Sequence, residues 1–255
     1  MTEEGDILND IETHLVINDL HAPYYHEDIL NLVLKFAKDL QPDKLINLGD
    51  CVDCPSISKF DKRLDRVTTI AEDFKAGYIA NAKIADAVGK ADKIFLHGNH
   101  EDRFNAYLSR HHAVEGLIDM DAKIGLTDYG YTSIPYGDEY GYNGFHYQHG
   151  TSARKFAGYS AKNELYDQWV SGMMGHTHRS GNCCSSNKSG GDFGFWENGC
   201  LCDFKLAWEW FKKPFPNWQY CISVVKFVED KFNVHQVNIP RKHPFIIYGD
   251  KYYSL

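Results

Sequence analysis

Two histidines one residue apart, His176 and His178, lie near the end of the segment SGMMGHTHR at residues 171–179. Side chains at positions i and i+2 of a β-strand share a face, so this spacing directs two imidazole nitrogens toward one point, as metal ligands require. An isolated His-x-His is more often a pair of solvent-facing or hydrogen-bonded histidines. The rest of the sequence must decide between these two interpretations.

Further Asp, Asn and His residues follow other predicted strands. The motifs DLH, GDCVD, GNHED and QHG each come after an apolar run, and GHTH is the fifth such motif. The carboxyl ends of strands in α/β sheets border the crevice where ligands bind, so we expect these side chains to converge. Asp and Asn also favour turns on their own, so the prediction depends on the ordered set. The set comprises Asp19, His21, Asp50, Asp53, Asn99, His100, Glu101, Asp102, His149, His176 and His178.

Hydrophobic periodicity predicts the elements that position these residues. The first half reads as strand 13–19, helix 26–40, strand 43–50, helix 68–91, strand 92–99 and helix 101–111. The second half reads as strand 144–150, helix 153–169, strand 170–178 and a β-hairpin over 218–239, with a loop at 180–191. This order predicts an α/β fold in which two sheets form a sandwich flanked by helices, in preference to one doubly wound sheet.

Composition bounds the class of protein. The 255 residues contain no Pro-, Gly- or Ser-rich spacer and no repeat, so one domain over residues 1–255 is expected. No signal region or run of eighteen apolar residues is present, which predicts a cytoplasmic protein with no membrane partner. The formal net charge of −8 argues against generic binding to nucleic-acid backbone, and seven scattered cysteines favour reduced thiols.

The ordered motifs resemble the calcineurin-like metallophosphoesterase superfamily, whose pattern runs D-x-H, G-D-x-x-D, G-N-H-E/D, H and G-H-x-H. All five blocks are present between Asp19 and His178. The resemblance implies an α/β/β/α sandwich and hydrolysis of a phosphodiester or phosphomonoester, with a nucleotide-like substrate. The tail, including PNWQY at residues 216–220, is similar to small phage-encoded members, which would place the protein in the host cytoplasm.

Seven residues are candidate metal ligands: Asp19, His21, Asp50, Asn99, His149, His176 and His178. Mixed carboxylate, amide and imidazole groups suit Mn best, with Fe, Zn, Co or Ni as alternatives, and suit Mg or Ca less well. Seven ligands are too many for one ion but suit two ions that share a carboxylate. Such a pair clamps a phosphoryl group and activates water. The resemblance makes Asp50 the bridge, with Asp19, His21 and His178 on one ion and Asn99, His149 and His176 on the other.

Other residues are expected to support the reaction. By resemblance, His100 is the general acid, although a histidine satisfied by backbone at a helix start is the alternative. Asp53, and Glu101 or Asp102, are predicted to orient ligand imidazoles. Tyr24 and Tyr25 are predicted to line the substrate pocket, or else to pack on the core at a helix entry.

Three alternatives remain open. A structural zinc site could combine Cys51 and Cys54 with Cys183, Cys184, Cys200 and Cys202, although the spacing fits none of the usual knuckles. A DNA nuclease of the break-repair type is the second, but such relatives add a capping domain for which this chain has little room. The third is a protein-binding module, whose members lose ligands or the acid histidine that this chain keeps.

Overall fold

Parallel strands alternate with helices along the first half of the chain. The computed structural model describes residues 11–59, 68–114, 116–205 and 216–255. The elements are β1 (Glu12–Ile17), α1 (Glu27–Leu40), β2 (Lys44–Asn47), α2 (Ile70–Val88), β3 (Asp92–Leu96), α3 (Asn99–Leu108), α4 (Met120–Lys123) and β4 (Tyr131–Ile134). Strands β1 to β4 pair in parallel with their neighbours in chain order, as the predicted β-α-β alternation requires.

The second half is richer in strands. Its elements are β5 (Tyr140–Tyr142), β6 (Phe145–Gln148), α5 (Tyr159–Gln168), β7 (Ser171–Met174), β8 (Ser180–Ser186), β9 (Asp192–Asn198), β10 (Tyr220–Val228), β11 (Lys231–Ile239), β12 (Phe245–Tyr248) and β13 (Lys251–Ser254). One sheet has the order β11-β10-β1-β2-β3-β4, a second has the order β5-β6-β7-β9-β8, and β12 and β13 form a hairpin. The predicted hairpin is β10 and β11, which extend the first sheet.

The loop expected at residues 180–191 is wrong, because strand β8 occupies its first seven residues. Those residues are small and polar, which favoured a loop. As an edge strand, however, β8 pairs with β9 through backbone groups and alternates between half-buried and exposed positions over most of its length. Only the stretch after it turns.

The two sheets pack face to face, and helices cover their outer faces. The interface between the sheets is apolar. It contains Val16 of β1, Ile46 of β2 and Leu48 just after β2, packed with Phe145 and Tyr147 of β6. Residues of β1 alternate between the layers: Leu15 and Ile17 pack instead in the cluster that includes α1 and α2. Helix α5 packs through Ala161 and Leu165 on the outer face of the second sheet. The predicted helix–sheet–sheet–helix arrangement is confirmed. No helix in the described ranges is long and apolar enough to cross a membrane.

Candidate metal centre

Loops after five strands converge at one edge of the sandwich. Strand β1 leads to Asp19 and His21, β2 to Asp50, β6 to His149, and β7 to the two histidines of GHTH. Strand β3 leads to Asn99, the first residue of α3. The structure brings all seven predicted ligands together in two groups that share one residue.

The first group contains Asp19, His21, Asp50 and His178, and all four are buried. Their candidate ligand atoms lie within 4.8 Å of one another. Nε2 of His21 is 3.0 Å from Nε2 of His178 and 3.7 Å from Oδ2 of Asp50. Nε2 of His178 is 2.9 Å from Oδ1 of Asp19. Ligand atoms that each bind one ion at about 2.0–2.2 Å have spacings of this order.

The second group contains Asp50, Asn99, His149 and His176. Oδ1 of Asn99 lies 2.7 Å from Nδ1 of His176 and 3.2 Å from Nε2 of His149. Nε2 of His149 is in turn 3.4 Å from Oδ2 of Asp50. Asn99 and His176 are half-buried, whereas Asp50 and His149 are buried.

One oxygen of Asp50 serves both groups. Oδ2 faces His21 on one side and His149 on the other, while Oδ1 accepts a hydrogen bond of 2.9 Å from the backbone N–H of His100. Gly98 makes this approach possible, because a Cβ there would lie only 2.1 Å from Oδ1 of Asp50. The carboxylate is therefore held with its shared oxygen toward both groups.

Backbone strain is concentrated at this edge. Five of the seven predicted ligands have a left-handed backbone, which non-glycine residues rarely adopt. Their φ angles are 51° at Asp19, 52° at His21, 51° at Asp50, 65° at His176 and 56° at His178. The chain therefore turns sharply as it leaves β1, β2 and β7.

The geometry of GHTH differs from the prediction. Strand β7 ends at Met174, so His176 and His178 lie in a tight turn and do not share a strand face. Each enters a different group, His178 the first and His176 the second. The two histidines therefore contribute one imidazole to each group, and the prediction that both point toward one position was wrong.

Glu101 stabilises the strained turn after β2 and does not orient an imidazole as predicted. Its buried carboxylate accepts hydrogen bonds from the backbone N–H groups of Asp50 (2.9 Å), Cys51 (2.8 Å), Val52 (3.2 Å) and Gly98 (2.8 Å). Asp102, the other predicted orienting residue, is half-buried and takes no part in this network. Within the described ranges, its carboxylate makes no hydrogen bond or ion pair.

Three imidazoles are braced through the nitrogen that points away from the groups. Nδ1 of His149 is 2.6 Å from the carbonyl oxygen of Leu48. Nδ1 of His21 is 3.4 Å from Oδ1 of Asp53, which matches the predicted orienting role of that carboxylate. Nδ1 of His178 is 3.9 Å from the thiol of Cys202, which is buried beside Cys200.

His100 lies between the groups and Asp53. Nδ1 is 2.9 Å from both the carbonyl oxygen and Oδ1 of Asp53, and Nε2 is 3.9 Å from Oδ2 of Asp50. Sequence reasoning missed Arg103, whose Nη2 lies 3.2 Å from Nε2 of His100. Its spacing of three residues along a helix was the available signal, because such residues are neighbours.

Electrostatics keep the carboxylates ionised. Burial raises the pKa of Asp50, but His149 and His100 outweigh burial and hold it well below its usual range. Burial lowers the pKa values of His149 and His178, yet the facing Asp50 and Asp19 raise both to about 9. Burial and the nearby His149 lower the pKa of His176 to about 4. Burial also lowers the pKa of His21, but the carboxylates of Asp19, Asp53 and Asp50 raise it well above its usual value. An entering cation would therefore compete with protons held on His21, His149 and His178.

The residues fit two divalent ions. Oδ1 of Asp19 is buried and accepts no hydrogen bond from a described residue, although Nε2 of His178 is only 2.9 Å away. A buried carboxylate oxygen and converging imidazole nitrogens are costly without a cation. The mixture of nitrogen and oxygen donors suits Mn, Fe, Co or Zn.

The remaining candidates lie in apolar surroundings. Tyr24 packs with Cys200, Cys202 and Trp218, and the ring of Trp218 is 4.2 Å from that of His178. Tyr25 packs against the two clusters beneath α1, α2 and α3, as a helix-entry aromatic would. The cysteines of the zinc alternative are divided, because Cys51 and Cys54 pack in one cluster and Cys200 and Cys202 in another. Cys200 and Cys202 instead lie with His178 in a group whose candidate ligand atoms are within 4.8 Å of one another.

Comparison with known proteins identifies the class. The model of the calcineurin-like phosphoesterase family matches residues 13–195, and the chain belongs to this family. Its members bind a dinuclear centre of divalent metal ions, and the clusters of Asp and His described above are of that kind.

Individual relatives are more distant. The chain is 28% identical to the Gene 54 protein of Mycobacterium phage D29 over 226 residues, which cover 80% of this chain and 85% of the relative. Vps29 of Chaetomium thermophilum is 12% identical with a TM-score of 0.48, covering 98% of this chain and 99% of that one. YfcE, a phosphoesterase from E. coli, is 12% identical with a TM-score of 0.41, covering 88% and 98%.

Proposed function

We propose that this protein hydrolyses a phosphoester, with a nucleotide-like substrate, using two divalent transition metal ions, of which Mn is the first candidate. One observation supports this most: Oδ2 of Asp50 faces His21 at 3.7 Å and His149 at 3.4 Å, with Nε2 of His100 only 3.9 Å away. A shared carboxylate oxygen beside a titratable imidazole suits a dinuclear hydrolase with a general acid.

The chain's own residues have distinct roles in this proposal. Asp19, His21, Asp50 and His178 hold the first ion, and Asp50, Asn99, His149 and His176 hold the second. When bound, the two ions supply Lewis acidity toward phosphoryl oxygens and lower the pKa of water. His100 donates a proton from Nε2 to the leaving oxygen, while Asp53 holds the ring through Nδ1.

The test is a substrate panel assayed after chelation and again after metal is restored. Monoesters, cyclic and linear diesters, and single- and double-stranded DNA are each incubated with the protein plus Mn, Mg or no metal. We expect chelation to abolish hydrolysis and Mn to restore it better than Mg, because Mg prefers oxygen ligands. Full activity in metal-free protein would contradict the proposal.

The panel also separates the alternatives. Hydrolysis confined to DNA would favour the break-repair type of nuclease, which the net charge of −8 does not favour. Two bound ions with no hydrolysis of any ester would favour a protein-binding module. We further propose that residues 1–255 act as one domain in the cytoplasm of a phage-infected host, since a phage protein is among its relatives.

A further inference from the structure

We propose that Arg103 is a substrate-binding residue that donates hydrogen bonds to a phosphate oxygen beside His100, and that it positions the His100 ring before substrate arrives. This inference rests on the proposed function. Arg103 lies one turn after His100 on α3 and is half-buried. Its guanidinium contacts the acid histidine directly, with Nη2 3.2 Å from Nε2.

The contacts of Arg103 leave its charge without an anion. Nη1 donates to the carbonyl oxygen of Asp53 at 2.6 Å and lies 3.5 Å from that of Cys54. Both are neutral acceptors, and no carboxylate among the described residues forms an ion pair with the guanidinium. Removing a guanidinium from water is costly unless an anion pairs with its charge. An unpaired guanidinium at the edge of a candidate phosphoester site therefore suits an anionic ligand.

Hydrogen-bonding capacity points the same way. A guanidinium has five N–H donors and no acceptor, and Nη2 of Arg103 directs one of these donors toward Nε2 of His100. Nε and one N–H of Nη2 make no hydrogen bond to a described residue. These donors form the planar fork that binds two oxygens of a phosphate.

Distance allows the contact. Nη2 is 3.2 Å from Nε2 of His100, and this nitrogen is 3.9 Å from Oδ2 of Asp50. The guanidinium therefore lies within about 7 Å of the oxygen that both groups share, a span that one phosphate group and its hydrogen bonds fill. When substrate binds, its leaving oxygen replaces Nη2 of Arg103 next to Nε2 of His100. Nη2 then donates a hydrogen bond to a neighbouring oxygen of the same phosphate group.

The test compares Arg103→Ala and Arg103→Lys with Arg110→Ala as the matched control. Arg110 is exposed and follows the end of the same helix, about 10 Å further along, so its loss removes the same charge outside the site. The affinity of Mn-loaded protein for inorganic phosphate is measured by calorimetry, together with metal content, KM and kcat. We expect Arg103→Ala to weaken phosphate binding and raise KM about tenfold or more with both ions retained, and Arg110→Ala to change either less than twofold.

Rescue separates a direct role from a structural one. Free guanidine at millimolar concentration should restore part of the phosphate affinity and activity of Arg103→Ala, because it places the same donors in the space left behind. Arg103→Lys should be intermediate, since it keeps the charge but lacks the fork. Unchanged phosphate affinity in Arg103→Ala, or loss of metal without rescue, would overturn the inference.

Failure of the proposed function is distinguishable from failure of this inference. If wild-type protein binds phosphate but hydrolyses no ester, the function is wrong while the calorimetric comparison still tests Arg103. If wild-type protein with both ions bound shows no affinity for phosphate at 10 mM or so, the role of Arg103 is wrong.

Discussion

The two halves of the candidate metal centre differ in charge and exposure. The first group has two carboxylates, from Asp19 and Asp50, and all its members are buried. The second has one carboxylate, which it shares, and the neutral amide of Asn99, and two of its four members are half-buried. The same edge of the sandwich therefore has one group with two buried carboxylates and a second group that is less anionic and more exposed to solvent.

This difference implies unequal affinities. A buried carboxylate attracts a divalent ion far more strongly than an amide does, because the interaction of full charges is little screened there. The first ion should bind tightly and remain bound, whereas the second should exchange. Substrate would then meet the more accessible second half first.

Asp50→Asn should have the largest effect, because it replaces the carboxylate whose Oδ2 faces both halves with a neutral amide. An amide does not bridge two cations as a carboxylate does, so metal content should fall to one ion or none. Hydrolysis should fall by at least about a thousandfold. Elemental analysis and kcat/KM measure this, with the exposed Asp86→Asn as control. Two ions retained by Asp50→Asn would count against the shared carboxylate.

His100→Asn should leave both ions bound, because His100 belongs to neither half. Loss of a general acid slows departure of a poor leaving group, on the order of a hundredfold for a nucleoside alkoxide. An ester of p-nitrophenol, whose anion departs without a proton, should lose little. The ratio of the two losses is the measurement. Equal losses with intact metal content would mean that His100 instead binds the phosphate or stabilises its charge.

Asn99→Asp tests the comparison itself. It gives the second half a carboxylate of its own, so the second ion should bind about tenfold more tightly, or about 1.4 kcal/mol. Stepwise titration of Mn into metal-free protein should show two affinities in the wild type and closer affinities in the variant. Equal affinities in the wild type would remove the asymmetry that the two donor sets predict.

His14 tests the acid sensitivity of the fold at a position outside the candidate metal centre. This buried imidazole on β1 contacts the hydroxyl of Tyr147 and Glu12, and burial, despite Glu12, lowers its pKa to about 4. His14 therefore becomes protonated near pH 6.5 in the unfolded chain but only near pH 4 in the folded protein. The free energy of unfolding should therefore fall as pH drops through this window, on the order of 2 kcal/mol.

The check is urea unfolding of metal-free protein at pH 7 and pH 5, comparing wild type with His14→Gln. Glutamine does not titrate, so the variant should lose less stability on acidification. His149 and His178, whose pKa values are raised to about 9, act in the opposite sense and above pH 6.5. His176, whose pKa is lowered to about 4, acts in the same window as His14, but it is present in both proteins, so the difference between their pH slopes reports on His14. Identical pH slopes in the two proteins would contradict the assignment.

The sequence was informative where the pattern is set by strand ends. Asp19, Asp50 and His149 each follow an apolar run, and parallel strands bring their carboxyl ends to one edge, so convergence of the set was predictable. Periodicity likewise predicted the two-sheet sandwich, although it placed a loop where the polar edge strand β8 runs.

Other features depend on tertiary contacts that no local pattern encodes. The left-handed turns send His176 and His178 to different groups, although their spacing suggested one. Glu101 follows His100 in the sequence and was predicted to orient an imidazole. Its carboxylate instead accepts hydrogen bonds from backbone N–H groups of two separate loops. The helical spacing of Arg103 indicated a neighbour of His100, but its contact with the carbonyl oxygen of Asp53, which is distant in sequence, could not be predicted from that spacing.

The most direct test of the account is hydrolysis of p-nitrophenyl phosphate and bis(p-nitrophenyl) phosphate by chelator-treated protein, with and without Mn. Protein carrying Asp50→Asn, purified in parallel, measures any contaminating phosphatase. We predict hydrolysis of at least one ester that requires Mn, saturates with substrate and is absent from the Asp50→Asn sample. Two Mn ions bound per wild-type chain, with no hydrolysis of either ester above the variant, would contradict the claim that this centre is catalytic.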